Sequence, residues 1–320
     1  MLSALDLGLI YGLMALGVYL TFRVLDFPDL TVDGSFTTGA AVTASLIIAG
    51  QSPWLATAAG AAAGAVAGLV TGLLHTKGNI NPLLAGILTQ IALYSINLRI
   101  MGRANLSLLR IDTLTSPLAD AGLTATWVSI AVFGAVAVAF KFGLDWFLKT
   151  DLGLALQATG DNERMIRSLG VSTDGVKIWG VALSNGLVAL SGAILAQYQG
   201  YADIGMGIGL IVAGLASVII GQALIASHSI WITTAAVLVG SVVYRVVIQV
   251  ALGLGLNPND MKLVSAILVI AALLLPRLAI VRRWRARQVR RELARSQADA
   301  AAEAAEAAEA SGAEARGASA

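Results

Sequence analysis

The chain has 320 residues, of which 57% are hydrophobic and only 12% charged, and its formal net charge is +2. So few charged residues cannot cover a water-facing globular surface, and the lack of cysteine excludes disulfides, thiolate metal sites and cysteine nucleophiles. The positive excess lies mainly in one Arg-rich tail, so no nucleic-acid partner is predicted.

Apolar runs of about 20 residues recur along the chain, the length that a helix needs to cross a bilayer. Period-two alternation is absent, which argues against a transmembrane barrel. The sequence therefore predicts an all-α, polytopic α-helical membrane protein with about nine membrane segments. In chain order the segments are 5–22, 31–49, 54–74, 81–101, 124–147, 177–199, 204–225, 229–252 and 261–280.

The distribution of Lys and Arg predicts the orientation. If every segment crosses once, most basic residues share one side, which the positive-inside rule makes cytoplasmic. These residues are Arg23, Lys77, Lys149, Arg164, Arg167, Lys177 and the basic residues of the tail at 282–295. The opposite side keeps Arg103, Arg110 and Lys262 in its loops, together with the N-terminus. The first run lacks a basic stretch before it, so we interpret it as a retained span.

The second segment begins with a polar stretch, residues 31–39, that is too polar to face lipid. A broken helix shielded by protein would solve this problem, and polar backbone at membrane depth is tolerated where it lines a cavity. A cytoplasmic loop followed by a short helix is the alternative. The stretch supplies the first candidates for a translocation path: Thr31, Asp33, Gly34 and Ser35.

Asn81, Asn97 and Arg245 are further candidates for the path, because polar groups within a span are costly and usually turn inward. Helix bridging is the default interpretation for each asparagine. Arg245 could attract a substrate carboxylate, or it could bond helix-end carbonyls or snorkel outward.

Glycine recurs every four residues in the third segment, at positions 60, 64, 68 and 72. Such a stripe of small residues indicates close helix packing.

Residues 150–171 form the predicted cytoplasmic connection after the fifth segment. The pattern indicates a short helix, a glycine break and a second short amphipathic helix that ends at Gly170. Asp161 or Asn162 can cap the second helix, and Glu163 favours its positive N-terminus. A compact ordered element of this kind suits a soluble partner, whereas a plain connecting loop is the alternative.

The sequence contains neither a phosphate-binding Gly-x-x-x-x-Gly-Lys-Ser/Thr loop nor a His-Glu-x-x-His pair. His75 and His228 stand alone, and interfacial positions suit them better than metal ligation. We therefore predict no catalytic residue, no metal and no cofactor bound by this chain. A nucleotide motor, if used, must be another subunit.

Residues 153–170 resemble the coupling-helix signature of bacterial ABC-importer permeases of the branched-chain amino acid and ribose uptake type. Residues 8–17 and 29–36 are similar to the opening of that family. Residues 81–89, 94–102 and 240–245 resemble the subgroup labelled as tryptophan/tyrosine-type uptake permeases. The resemblance covers about residues 5–275, and Gln157 departs from it because the signature has Arg there.

The resemblance implies that eight residues sit in a groove on a cytoplasmic ATP-binding subunit, which would bind ATP and Mg. They are Leu156, Ala158, Gly160, Asp161, Asn162, Arg164, Met165 and Gly170. It also implies a homodimer of permease copies in the bacterial inner membrane and a periplasmic or lipoprotein substrate-binding protein. The cargo would be a small solute such as an amino acid, and the subgroup favours aromatic ones.

An ion-coupled secondary transporter and a membrane scaffold or receptor remain as alternatives. A secondary carrier needs no docking element, and its intramembrane acids should be richer than the near-solitary Asp33. We predict a permease domain at 1–281 and a cytoplasmic tail at 282–320, basic and then Ala/Glu-rich, that is disordered.

Overall fold

The computed structural model describes residues 2–225, 229–255 and 261–274. The chain divides into two units, 1–269 and 270–320. The predicted tail at 282–320 and His228 lie outside the described residues.

The described residues form helices and two short strands. The first helix, α1 (Leu2–Tyr19), continues into a π-helical stretch (Leu20–Val24). The other helices are α2 (Thr31–Ile48), α3 (Pro53–Thr76), α4 (Pro82–Met101), α5 (Ser116–Asp120), α6 (Trp127–Leu148), α7 (Asp151–Ser168), α8 (Thr173–Gln199), α9 (Leu210–Leu224), α10 (Ile230–Gly253) and α11 (Met261–Leu274). In the part of the chain that the structure describes, the all-α prediction missed the antiparallel strands β1 (Asn105–Ser107) and β2 (Tyr201–Asp203), which pair on the predicted outer side.

Six of the described helices are long and apolar enough to cross a membrane: α1 with its π-helical extension, α3, α4, α6, α8 and α10. The three remaining predicted segments contain α2, the shorter apolar helix α9 and α11. The count of nine segments therefore stays a prediction.

Helix α8 lies at the centre, with α1, α2 and α3 packed against it. The glycine stripe of α3 makes one of these contacts, as the sequence predicted. A Cβ atom on Gly68 would lie 2.5 Å from the Val181 carbonyl oxygen, and one on Gly72 would lie 2.9 Å from the Ile178 Cα. Only glycine lets the two backbones come this close.

The prediction of a broken second segment is wrong in its location. Helix α2 runs without interruption from Thr31 to Ile48, and every residue of its polar half is buried. Thr37 and Thr38 satisfy their hydroxyl groups within the helix, because each donates to the carbonyl oxygen four residues earlier. The irregular segment lies in the seventh predicted segment, where turn residues 204–209 lead from β2 to α9.

Candidate translocation groove and coupling segment

A groove of about 440 Å³ opens between α2, α4 and the irregular segment 204–209. Its lining combines neutral polar and apolar side chains with one carboxylate. The lining residues are Asp33, Gly34, Thr37, Gln90, Ile91, Tyr94, Ser95, Asn97, Ile204 and Ile208. The groove therefore brings together irregular backbone and the polar half of α2, a combination that membrane proteins tolerate at cavities.

Asp33 connects α2 to the start of α9. Its two carboxylate oxygens accept hydrogen bonds from the backbone N–H groups of Gly209, at 2.7 Å, and Ile211, at 2.8 Å. A carboxylate is favourable there, because the first amides of a helix are unpaired and its dipole is positive. Gly209, at φ +85°, adopts the left-handed conformation that glycine accepts without strain. Asp33 thus holds the irregular segment in place against the groove.

Asn97 lies on α4 with only 1% of its surface exposed. Neither Nδ2 nor Oδ1 of its side chain has a hydrogen-bond partner among the described residues. The helix-bridging role that is the default interpretation for this residue is thus not seen in the first unit, and Asn97 lines the groove instead.

The groove does not contain all of the predicted path residues. Thr31 belongs to a buried row of three hydroxyl groups. Its Oγ1 lies 2.7 Å from the Oγ1 of Thr71, which lies in turn 2.9 Å from the Oγ1 of Thr89. Ser35 is fully buried in α2 and is not part of the groove lining. Asn81 is exposed at the N-terminus of α4, where its Oδ1 accepts from the Leu83 N–H at 3.0 Å. Asn81 is a helix cap, so its assignment to the path is a correction.

Arg245 is also absent from the groove lining. Its guanidinium carbon lies 3.7 Å from the centre of the Tyr11 ring, and that ring stacks in turn on Phe36 of α2 at 5.9 Å. The structure thus shows a cation–π contact for Arg245, which neither sequence interpretation anticipated.

Buried acids are more numerous than the sequence interpretation allowed. Asp6, Asp29 and Asp145 are all less than 5% exposed, in addition to Asp33. Each is engaged within the chain, by Ser129 for Asp6, by Asn185 for Asp29 and by Lys141 and Thr234 for Asp145. Their number alone therefore gives no support to an ion-coupled carrier.

The pair formed by Lys141 and Asp145 was missed in the sequence. The two residues are four positions apart within an apolar span, on one face of α6, and that spacing was the available signal.

The predicted coupling segment is helix α7, and its break falls at Asn162 instead of a glycine. Asn162 has non-helical backbone angles, φ −157° and ψ 87°, which divide α7 into two parts. Its Oδ1 accepts from the Met165 N–H at 3.1 Å, so Asn162 caps the second part. Gly170, at φ +86°, follows the end of the helix in the left-handed conformation.

The eight predicted docking residues do not all face solvent. Leu156 is 1% exposed, and its side chain lies against Gly180 of α8. Gly160 faces the backbone of Val24, and Ala158 is half-buried. The exposed members are Asp161, Asn162, Arg164, Met165 and Gly170. Placing Leu156 on the partner surface is therefore a correction: it anchors α7 to the bundle.

Gln157, the residue that departs from the family signature, bonds within the chain. Its Nε2 donates to the carbonyl oxygens of Leu148, at 2.7 Å, and Gly153, at 3.1 Å. It ties the beginning of α7 to the end of α6.

Ion pairs attach the second part of α7 to its neighbours. Glu163 pairs with Lys177 at 2.8 Å and with Arg167 at 3.3 Å, and Asp174 pairs with Arg167 at 3.1 Å and with Lys77 at 3.2 Å. The hydrogen bond from Lys177 is the main reason that the pKa of Glu163 is lowered, and the charges of Lys177 and Arg167 act in the same direction. The network connects α7 with the beginning of α8 and the end of α3.

Long apolar helices around a polar groove, with a kinked, charged segment at the basic end of the bundle, define a multi-pass membrane transport subunit. Residues 1–274 match the family described as the branched-chain amino acid transport system permease component. The chain belongs to this family, and so it is a multi-pass inner-membrane transport subunit and not an enzyme.

The chain is also similar to individual proteins. The chain is 44% identical over 273 residues to a tyrosine transport system permease protein of Clostridioides difficile, which covers 85% of this chain and 90% of the relative. It is 35% identical over 277 residues to an uncharacterised protein of Rickettsia prowazekii, and the match covers 85% of this chain and 96% of the relative. A 96-residue stretch is 31% identical to an autoinducer 2 import system permease of Photorhabdus laumondii, and the match covers 30% of this chain and 29% of the relative.

Proposed function

We propose that this chain is the permease subunit of an ATP-binding-cassette importer that moves an amino acid into the cytoplasm. The observation that carries the proposal is the surface of α7. It is kinked and partly exposed, it lies at the end of the bundle where basic residues gather, and ion pairs tie it to α3 and α8. A partner that moved α7 would pull on the central helix.

The partner is a cytoplasmic ATP-binding subunit that contacts the exposed residues Asp161, Asn162, Arg164, Met165 and Gly170. Met165 is 52% exposed, and Leu169 beside it is 70% exposed. Apolar side chains in this position favour burial against a protein partner.

A second copy of the chain completes the pathway. The groove is open along α4, and the same helix exposes Ile91, Tyr94 and Leu98 by 64%, 50% and 39%. A homodimer that apposes the two α4 helices would cover Leu98 and close the two grooves into one passage lined by Ile91 and Tyr94. A periplasmic or lipoprotein binding protein would deliver the substrate to the outer loop at 102–123, which carries Arg103, Arg110, Asp112 and Asp120.

The substrate of the Clostridioides relative supplies the first compound to test, L-tyrosine. ATP-driven uptake of L-tyrosine into proteoliposomes that hold the permease, its ATPase and its binding protein supports the proposal. Robust ion-driven uptake by this chain alone would overturn it in favour of a secondary transporter.

The docking surface is tested by the double variant Arg164→Glu/Met165→Glu. We expect the ATPase to be lost on purification and uptake to fall by about tenfold or more, a change of about 1.4 kcal/mol in the interaction. The melting temperature should not change, because both side chains are exposed. The matched control is Leu254→Glu, since Leu254 is 83% exposed and lies outside α7, the outer loop at 102–123 and the groove lining. Retention of the ATPase by the double variant would remove α7 as the docking element.

A further inference from the structure

Asn97 is a buried amide whose hydrogen-bonding capacity is unused. It is 1% exposed, and both polar atoms of its side chain lack partners among the described residues. A buried polar group in this condition destabilises a protein by about 1–3 kcal/mol. Unsatisfied groups of this kind are rare in native structures, and one that lines a groove is placed where it can bond to a molecule that enters the groove.

The surroundings of Asn97 limit the charge of such a ligand. The described lining holds no Lys or Arg, and the neutral polar residues Thr37, Gln90 and Ser95 share it with Asp33. A ligand with net negative charge would meet no cation in a medium of low dielectric constant. A positive group near Asp33 is favourable, although both oxygens of that carboxylate already accept from backbone N–H groups.

The size and shape of the groove add a second limit. Its volume of about 440 Å³ falls within the range of about 300–1,000 Å³ that is common for small-molecule sites. Tyr94 and Ile91, which are 50% and 64% exposed, supply apolar surface beside the polar groups. A flat apolar side chain can stack on the tyrosine ring.

We infer that Asn97 forms a substrate-binding subsite within the membrane domain, one that binds the two charged ends of a net-neutral zwitterion. The Nδ2 group donates to the carboxylate of the ligand, and Oδ1 accepts from its ammonium group. Tyr94 contacts the apolar side chain of the ligand. This subsite rests on the proposed function, because the groove has to be the passage through which the substrate moves.

The variant Asn97→Leu tests the subsite in the full complex of permease, ATPase and binding protein in proteoliposomes, with L-tyrosine as the probe. We expect uptake to fall by about tenfold, equivalent to the loss of about one good hydrogen bond. We expect the melting temperature of the permease to stay the same or to rise, because the substitution removes an unsatisfied amide. A residue that only supports the fold would show the opposite, a lower melting temperature.

Two further variants complete the design. Asn97→Asp keeps the size of the side chain but replaces the donor with an acceptor or a negative charge, so uptake should fall as it does for Asn97→Leu. Gln249→Leu is the matched control, because Gln249 is exposed on α10 and outside the groove, and its uptake should equal that of the unmodified chain.

The outcomes separate the subsite from the proposed function. The subsite alone is overturned if Asn97→Leu takes up L-tyrosine within about twofold of the rate of the unmodified complex. It is also overturned if the variant loses the dimer and has a lowered melting temperature. Absence of ATP-driven uptake by the unmodified complex would overturn the proposed function and the subsite with it.

Discussion

The groove and helix α7 hold their polar groups in different ways. In the groove, the Asp33 carboxylate meets two backbone N–H groups, and the amide of Asn97 meets no described partner. On α7, Glu163 and Arg167 meet charged side chains in ion pairs that are partly open to water.

The difference follows from the medium. Inside the bundle a charge needs fixed dipoles around it, since water is absent and desolvation is expensive. At the surface, water screens each ion pair, so each contributes little and can be exchanged at low cost. The Asp33 carboxylate of the groove is therefore held by fixed backbone dipoles, whereas α7 is attached by ion pairs that a partner can rearrange.

The largest expected effect comes from the packing of the bundle. In Gly64→Leu, the new side chain would collide with Ala189 and with the Asn185 carbonyl oxygen of α8, so we expect a loss of about 3 kcal/mol in the free energy of unfolding. Thermal unfolding in detergent measures the change. Gly143→Leu is the control, because nothing lies within 4 Å of a Cβ atom at Gly143. Equal stability of the two variants would show that α3 and α8 are not tightly packed.

Asp33→Ala should have the next largest effect. It leaves the N–H groups of Gly209 and Ile211 without their acceptor, and we expect the protein to be less stable by about 2 kcal/mol. Asp33→Asn keeps one acceptor oxygen and should lose less. Because the chain has no cysteine, the variant Ile208→Cys gives a single labelling site in the irregular segment. Labelling at this site should be faster with Asp33→Ala, and an unchanged rate would contradict the holding role of Asp33.

Glu163→Gln should have the smallest effect. The pKa of Glu163 is lowered in the folded chain, so its stabilising contribution is full above the usual glutamate pKa of about 4.3. This stabilising contribution is lost as the pH falls through the lowered pKa that Glu163 has in the folded chain. Because the Glu163 side chain is 37% exposed, we expect a difference of only about 0.5 kcal/mol from the unmodified chain at neutral pH. Melting temperatures at neutral pH and at about pH 3 provide the measurement, and a difference that grows in acid would contradict this assignment.

Features with a local cause were predictable from the sequence. The glycine spacing in α3 predicted its contact with α8, because close approach depends on the absence of a Cβ atom. The ability of Asn162 to cap a helix was visible in the same way, since the cap needs only a side chain three residues before the amide it accepts from. Neither feature requires knowledge of which helices are neighbours.

The long-range contacts of polar residues could not be predicted. The sequence gives no measure of the separation between Asp33 and Gly209, so its polarity predicts the break in α2, whereas the structure has it in the apolar segment before α9. Leu156 is an apolar residue that the sequence alone places among the docking residues. Its contact with Gly180 of α8 shows that it packs inside the bundle.

Hydropathy, charge and motif spacing are local properties, so they are enough to show that the chain is a helical membrane protein, which end of it is basic and which family it resembles. How the helices pack sets which polar residues are satisfied, which are buried without a described partner and which remain open to another molecule. A hydrogen bond in a dry interior depends on the distance between groups far apart in the chain, and that distance exists only after the helices have packed.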